Sequence, residues 1–330
     1  MATNLRISTT TSVVDSRLYI ALTAAFNAWQ ITQYGQVNYT IVWNSVGSGA
    51  AMQAARDGLA DVVISHDRIG ELDFLNVEHF ALSRIHVFYN YFVVVGPPNG
   101  PVTGPTLEQC FRQINTAVNP PPGTPADPSV LFVSRGPTGR SGTYVREQQI
   151  WKWLNITPPG NIVPPPGTNP PPPPSGMNAT LTETYNRIIG NGYPKKNAYT
   201  LTDIGTWYAF LANTLYGSTV DMTMLTSPNN LTTDVPPRDR LASNQYVVMR
   251  INPNADFTQT PNPPIDDVGS SAFLTWMLTT IGSTSAKTAV DGYLINISPP
   301  NTSPVWKQGF IYNANVAEHF PDDPIIQPVP

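Results

Sequence analysis

Three short stretches of this 330-residue sequence place hydroxyls and glycines where a strand gives way to a helix: Thr9-Thr10-Thr11-Ser12, Gly47-Ser48-Gly49 and Ser141-Gly142-Thr143. A helix start exposes N–H groups that lack intrahelical partners and carries partial positive charge. Hydroxyls add neutral donors, and small residues let a ligand approach the backbone, so the chemistry these stretches suit is the holding of a small anion. One such turn is ordinary helix capping, a role Ser and Thr fill everywhere. Three in one chain shift the balance toward a shared site. Arg135 lies between a strand end and the third stretch and offers a planar fork of donors that matches an oxyanion. Its competing reading is a solvated loop residue or an ion-pair partner.

Catalytic chemistry finds little support. The four histidines, His66, His79, His86 and His319, stand at neither metal-ligand nor nucleophile–base spacing. No G-x-S-x-G, Walker A or dinucleotide fingerprint occurs. His66-Asp67 could form an acid/base pair, but its place after a strand reads as turn chemistry. A single cysteine, Cys110, excludes an internal disulfide and any multi-cysteine metal site, and its neighbours Gln109 and Phe111 do not suggest an activated thiolate. The expectation is therefore no catalytic residue, no metal and no cofactor.

Composition narrows the partners. Only 12% of residues are charged and the net charge is −4, without the basic patch of a nucleic-acid binder or the polybasic stripe that holds a chain on an anionic membrane. No apolar run approaches the roughly 20 residues a transmembrane helix needs. Patterned sequence begins at Leu5 with no charged and apolar leader ahead of it, so the chain is expected to be either cytosolic or a mature form whose signal segment has been removed.

The elements that would position these residues alternate between strands and helices. Strands are expected at Leu5–Ser8, Tyr39–Trp43, Asp61–Ile64, Tyr91–Val95, Val130–Val133 and Gln245–Arg250. A helix is expected from Val13 to Trp29, with Leu18, Leu22, Ala25, Phe26 and Trp29 on one face, Ser12 as its N-cap and Asp15 completing a capping box. Further helices should open at Gly47-Ser48-Gly49 and at Ser141, and cover Asp203–Leu215 and Ala272–Ile281. This alternation argues for an α/β fold built on mostly parallel sheet. Ten of the seventeen residues from Pro158 to Pro174 are proline, which predicts an extended, stiff surface insertion.

The strings LRISTTTSVVDS (5–16), VGSGAAM (46–52), DGLADVVISHD (57–67), VFYNYFVVVGP (87–97), FVSRG (132–136), SGTYVRE (141–147), GMNATL (176–181) and NAYTLTDIGTW (197–207) run in this order along the chain. Together they resemble the tungstate-binding substrate-binding proteins of bacterial and archaeal ABC transporters. The resemblance implies a two-lobed type II periplasmic-binding-protein fold, each lobe a mostly parallel sheet flanked by helices. Lobe one would comprise residues 1–95 plus 246–330, and lobe two residues 96–245. It implies a ligand shell of Thr9, Thr10, Thr11, Ser12 and Ser48 from one lobe with Arg135, Ser141 and Thr143 from the other. It also implies a membrane permease as partner and an extracellular or periplasmic location, tethered to the cell surface. The sequence departs from the family pattern at Pro137–Arg140, where extra residues let Arg140 stand in for Arg135, at Tyr91 in place of an acidic residue, and at Ile204 in place of arginine.

Tungstate and molybdate carry no proton near neutrality, so every oxygen only accepts hydrogen bonds. Monohydrogen phosphate keeps one proton and calls for an acceptor carboxylate. The expected shell contains donors alone, with Asp15 and Asp203 assigned to helix capping. It therefore favours tungstate or molybdate over phosphate; sulfate, equally protonless, stays an alternative, and tungstate over molybdate follows from the resemblance only. Two other classes stay open, a surface or structural protein on the same scaffold and a sensory module.

Overall fold

The computed structural model describes residues 2–137, 141–159, 179–212, 221–226, 242–278, 280–296, 306–308 and 310–312. The proline-rich insertion and Arg140 lie outside the described residues. The strands are β1 (Thr3–Thr10), β2 (Tyr39–Val46), β3 (Val62–Ser65), β4 (Ala81–Gly96), β5 (Val130–Phe132), β6 (Asn197–Asp203), β7 (Thr223–Met224), β8 (Ser243–Ile251), β9 (Leu294–Asn296), β10 (Trp306–Gln308) and β11 (Ile311–Tyr312). The helices are α1 (Thr11–Asp15), α2 (Leu18–Tyr34), α3 (Ser48–Arg56), α4 (Arg68–Asn76), α5 (Leu107–Val118), α6 (Gly142–Trp153), α7 (Ala179–Ile189), α8 (Ile204–Ala212), α9 (Asp267–Leu278) and α10 (Thr280–Asp291).

The principal sheet has the order β2-β1-β3-β8-β4-β6-β5, with β7 and β11 pairing to β4. β1 is parallel to β2 and to β3, while β8 runs antiparallel to both β3 and β4. In that half β2, β1, β3 and the first part of β4 therefore share one direction, with β8 reversed. β5 and β6 are parallel to each other and β4 runs against β6. The sixteen-residue β4 belongs to both halves: Ala81 to Tyr91 pair with β8, and Phe92 to Val95 pair with β6. β8 returns the chain, and Asn90 stands directly opposite Asn244 close to this changeover.

Period-2 alternation of fully apolar strands puts a core on each face of the sheet. In the first half, Val62, Ile64 and Val248 point to a cluster with Leu22, Phe26 and Trp29 of α2 and Phe273 and Trp276 of α9. Val63, Val247, Met249 and Ile251 point the other way, to Ala51, Met52 and Ala55 of α3 and Phe74 of α4. In the second half, Phe92, Val94, Val130 and Phe132 meet Phe111 of α5 and Trp151 of α6, while Val93, Val95 and Leu131 meet Leu181 of α7 and Trp207 and Phe210 of α8. Each half thus has its own pair of cores, and burying each large side chain contributes on the order of 1.5–3 kcal/mol.

Two sequence expectations need correction here. The helix expected from Val13 to Trp29 is two helices, because Arg17 takes the left-handed conformation at φ 64° and turns the chain between α1 and α2. The N-cap of α1 is Thr10 rather than Ser12, and no side chain caps it, so the Ser12–Asp15 capping box does not form. The late helix starts earlier than expected, at Asp267, and is followed by α10.

Candidate functional site

The three hydroxyl-bearing stretches occupy equivalent places. Thr9 and Thr10 end β1 and Thr11 and Ser12 open α1; Ser48 opens α3; Ser141 precedes α6, which begins at Gly142. Thr9, Thr10, Ser12, Ser48, Ser141 and Thr143 are buried, and Thr11 is half-buried. None of the three helix starts has a side-chain cap, so their hydroxyls are not spent in the way Ser and Thr ordinarily are. Thr9 Oγ1 is buried with no hydrogen-bond partner, a condition that costs about 1–3 kcal/mol unless a ligand or water relieves it.

His66, just past β3, is where the stretches meet. Its backbone N–H donates to Ser48 Oγ at 3.4 Å. Its ring stacks on Tyr246, with centroids 4.9 Å apart and planes at 13°, and the Tyr246 hydroxyl is 2.8 Å from Ser12 Oγ, which is 2.9 Å from Thr10 Oγ1. The third stretch touches the same ring: a Cβ on Gly142 would fall 2.6 Å from His66 Nε2. Only glycine lets α6 start so close to the imidazole.

Behind His66 runs a chain of buried polar groups. Its Nδ1 is 2.8 Å from Asn244 Oδ1. Asn244 Nδ2 donates to Asn90 Oδ1 at 2.7 Å and to the Tyr246 hydroxyl at 3.1 Å. Asn90 Nδ2 donates to Asp203 Oδ1 at 2.9 Å, and Asp203 also accepts from Thr206 N and Thr206 Oγ1 at 3.0 and 2.5 Å. Asp203 is thus the cap of α8, as its position in the sequence suggests, with its oxygens turned inward onto donors. Asp67 caps α4 by accepting from Gly70 N at 3.3 Å, in line with the turn reading of His66-Asp67.

Arg135 is half-buried, and its side chain lies within electrostatic reach of Asp15, the last residue of α1. Its backbone N–H donates to Glu147 Oε2 at 3.3 Å, and Ser134 Oγ donates to both oxygens of that carboxylate at 2.8 and 2.9 Å. Burial pushes Glu147 up to about 7 against these hydrogen bonds. Asp15, expected to be a capping residue, is instead a half-buried carboxyl. Its pKa is pushed from 3.8 to about 7, first by burial and then by the charge of Asp203, with Arg135 pulling the other way. The site is therefore not bordered by donors alone, although near neutrality burial keeps much of Asp15 protonated.

Sequence reasoning missed His66 as a member of the site, together with Asn90, Asn244 and Tyr246. The one available signal is an amide inside a run of apolar residues, as at Tyr89-Asn90-Tyr91, because a buried amide must find partners. Among the described residues no group of three His, Cys, Asp or Glu could hold a metal ion. Cys110 is buried, and its Sγ donates to Gly104 O at 3.0 Å.

The raised pKa of Asp15 fixes the sign of a pH effect. Between its unfolded and folded values, about 4 and about 7, the folded chain binds more protons than the unfolded one, so its contribution to stability is fully present below 4 and is lost as pH rises to 7. Asp15→Asn should flatten the decline of Tm across this window and be more stable than the parent at pH 8. Parallel Tm–pH curves for the two proteins would show that Asp15 does not titrate in this way.

A family model for a PBP superfamily domain matches residues 2–280. A putative ABC transporter anion-binding protein of Haloferax volcanii is 32% identical over 205 residues, 62% of this chain, and the match spans half the length of that protein. The tungstate-binding protein TupA of Peptoclostridium acidaminophilum is 28% identical over 272 residues, 82% of this chain and 76% of that one. Among solved structures, the tungstate-binding protein TupA from Desulfovibrio alaskensis G20 superimposes with a TM-score of 0.62 at 22% identity, covering 95% of this chain and all of that one. With a two-lobed sheet flanked by helices and a family match over most of its length, this chain belongs to the PBP superfamily and has the type II periplasmic-binding-protein fold.

Proposed function

We propose that this chain binds a tetrahedral oxyanion, tungstate, between its two lobes outside the cytoplasm and delivers it to the membrane permease of an ABC transporter. The observation that carries the proposal is the convergence of three uncapped, hydroxyl-bearing helix starts on the His66–Tyr246 pair. A protonless oxyanion needs donors around all four oxygens. Thr9, Thr10, Thr11, Ser12 and Ser48 would supply them from one side, and Arg135, Ser141 and Thr143 from the other. α1 is a single turn of five residues, so its contribution rests on hydroxyls and N–H groups more than on a long helix field. The names of the relatives from Haloferax and Peptoclostridium support an anion in general and tungstate in particular.

The lobes in this reading are residues 1–95 plus 246–330 and residues 96–245, joined by the paired strands β4 and β8, except that Phe92–Val95, which pair with β6, go with the second lobe. Closure brings Gly142 against His66, and a ligand drives it only through its higher affinity for the closed form. The permease would recognise the closed surface. Among the described residues no helix is long and apolar enough to cross a membrane. No catalytic role, metal or cofactor enters this reading.

Calorimetric titration at pH 7 should give a saturable heat with tungstate and, more weakly, with molybdate, and none with phosphate. Absence of heat and of a thermal shift with both metal oxyanions would remove the proposal. Arg135→Ala should weaken tungstate binding about 10- to 100-fold, the loss of a charge-assisted hydrogen bond of about 1.5–3 kcal/mol, with Tm nearly unchanged. Gly142→Ala should also weaken binding tenfold or more, on the order of 1.4 kcal/mol, because the added methyl props α6 away from the imidazole; unchanged affinity would mean that closure does not require this contact.

A further inference from the structure

The hydrogen-bond chain behind His66 fixes which of its nitrogens carries the proton. Asp203 accepts from Thr206 N and Oγ1 and acts as an acceptor toward Asn90, so the Asn90 amide must turn its NH2 to Asp203 and its carbonyl to Asn244. Asn244 then presents its own NH2 to Asn90 and to the Tyr246 hydroxyl, and its carbonyl to His66. His66 Nδ1 is therefore the donor in the 2.8 Å contact with Asn244 Oδ1. In the neutral ring Nε2 is left as a lone-pair acceptor, and it is the atom that faces the start of α6 at Gly142.

This polarity conflicts with a guest whose oxygens only accept. We propose that His66 is a specificity-determining, proton-linked residue of the anion site: binding of a fully deprotonated tetrahedral dianion draws one proton from solvent onto Nε2, which then donates to an anion oxygen. The inference rests on the anion-binding reading above and adds the identity of a further contact and its proton stoichiometry. The proton comes from the buffer, stays on the imidazole while the anion is bound, and returns to solvent on release.

The surroundings of the ring suit such a switch. Burial holds the empty-site imidazole below its ordinary pKa, opposed by the Asn244 hydrogen bond and the charges of Asp203 at the start of α8 and Asp67 on its own segment, while Arg146 of α6 pushes it further down. The phenol of Tyr246, stacked on the ring, is held well above its usual range by burial, chiefly, and stays neutral. β4 contributes the ring of Phe92, stacked near the imidazole at 6.1 Å, and, through Asn244, the neutral Asn90. α3 contributes the hydroxyl of Ser48. A dianion placed among these groups adds the negative charge needed to bring Nε2 into its protonated form. Asp15 at the end of α1 also titrates near neutrality and must be separated from His66 in the measurement.

The test is calorimetric titration of the full chain with sodium tungstate at pH 8 in two buffers of different ionisation enthalpy, PIPES and Tris. Wild type should show net proton uptake approaching one per tungstate, and its affinity should fall up to tenfold per pH unit above pH 8. His66→Gln keeps a side-chain donor but cannot titrate, so its weaker binding should show no uptake and little pH dependence, while Asp15→Asn should retain the uptake. Uptake that survives in His66→Gln and vanishes in Asp15→Asn would overturn the inference. Ring nitrogen NMR of wild type gives a second reading independent of variants: the His66 Nε2 resonance should move from the unprotonated to the protonated range on adding tungstate at pH 8, and an imidazole that stays neutral in the saturated complex overturns the proposal. Absence of any tungstate binding by wild type is a different result, since it removes the anion-binding reading itself.

Discussion

Two asparagines facing each other across a pair of strands are the constraint on which the rest of this molecule turns. Asn90 and Asn244 sit opposite one another in β4 and β8, close to where β4 exchanges one strand partner for another. Both are buried, and a buried amide left without partners would destabilise the fold by about 1–3 kcal/mol per group. The structure meets this demand in both directions. Toward α8 the chain ends on Asp203, and toward the hydroxyl-rich turns it ends on His66, Tyr246 and Ser12. A polar line thus crosses the sheet at the place where the apolar cores of the two halves part company, and it supplies orientation that oily side chains could not.

The division of labour between apolar and polar groups is clear. The alternating strands that face α2 and α9 on one side and α3 and α4 on the other hold the first half together mainly by apolar burial, with ion pairs such as Arg6–Asp61 added between its elements. The same pattern recurs around α5 and α6, and around α7 and α8. Charged side chains make up only 12% of the sequence, and some of the buried ones pair with an opposite charge, as Glu71 does with Arg84, where both side chains are 1% exposed. With so few charges elsewhere, Arg135 opposite Asp15 stands out, because two partly buried ionisable groups on separate segments influence each other there.

Much of the fold was legible because its strands are short apolar runs and the turns after them are marked by glycine and hydroxyls. Gly47-Ser48-Gly49 and Ser141-Gly142-Thr143 open helices where expected. The start of α1 was misjudged because nothing in Val14-Asp15-Ser16-Arg17 announces a left-handed arginine: the helical spacing of Leu18, Leu22 and Phe26 extends smoothly backward through it. That break changes Asp15 from a cap into a half-buried acid. The polar line through Asn90, Asn244 and Asp203 was illegible for a different reason. Its members lie far apart in sequence, and asparagine carries no periodicity from which a partner could be guessed. The hydroxyl turns were visible as local patterns; what they surround was not.

The aromatic column beneath His66 has a consequence for how the protein is made. Tyr246 stacks on Phe88 with centroids 4.9 Å apart, and Phe310 sets its edge against both rings. β11, just after Phe310, adds itself to β4, and Tyr312 enters the same cluster as Leu5 and Ile7. The floor under His66 is therefore assembled from the opening strand, the long shared strand, the returning strand and a segment far downstream. A growing chain that has emitted only its first few elements holds an unfinished hydrophobic face, and contacts this distant in sequence form late because loop closure opposes them. Until translation delivers that downstream segment, the aromatic floor beneath His66 stays incomplete.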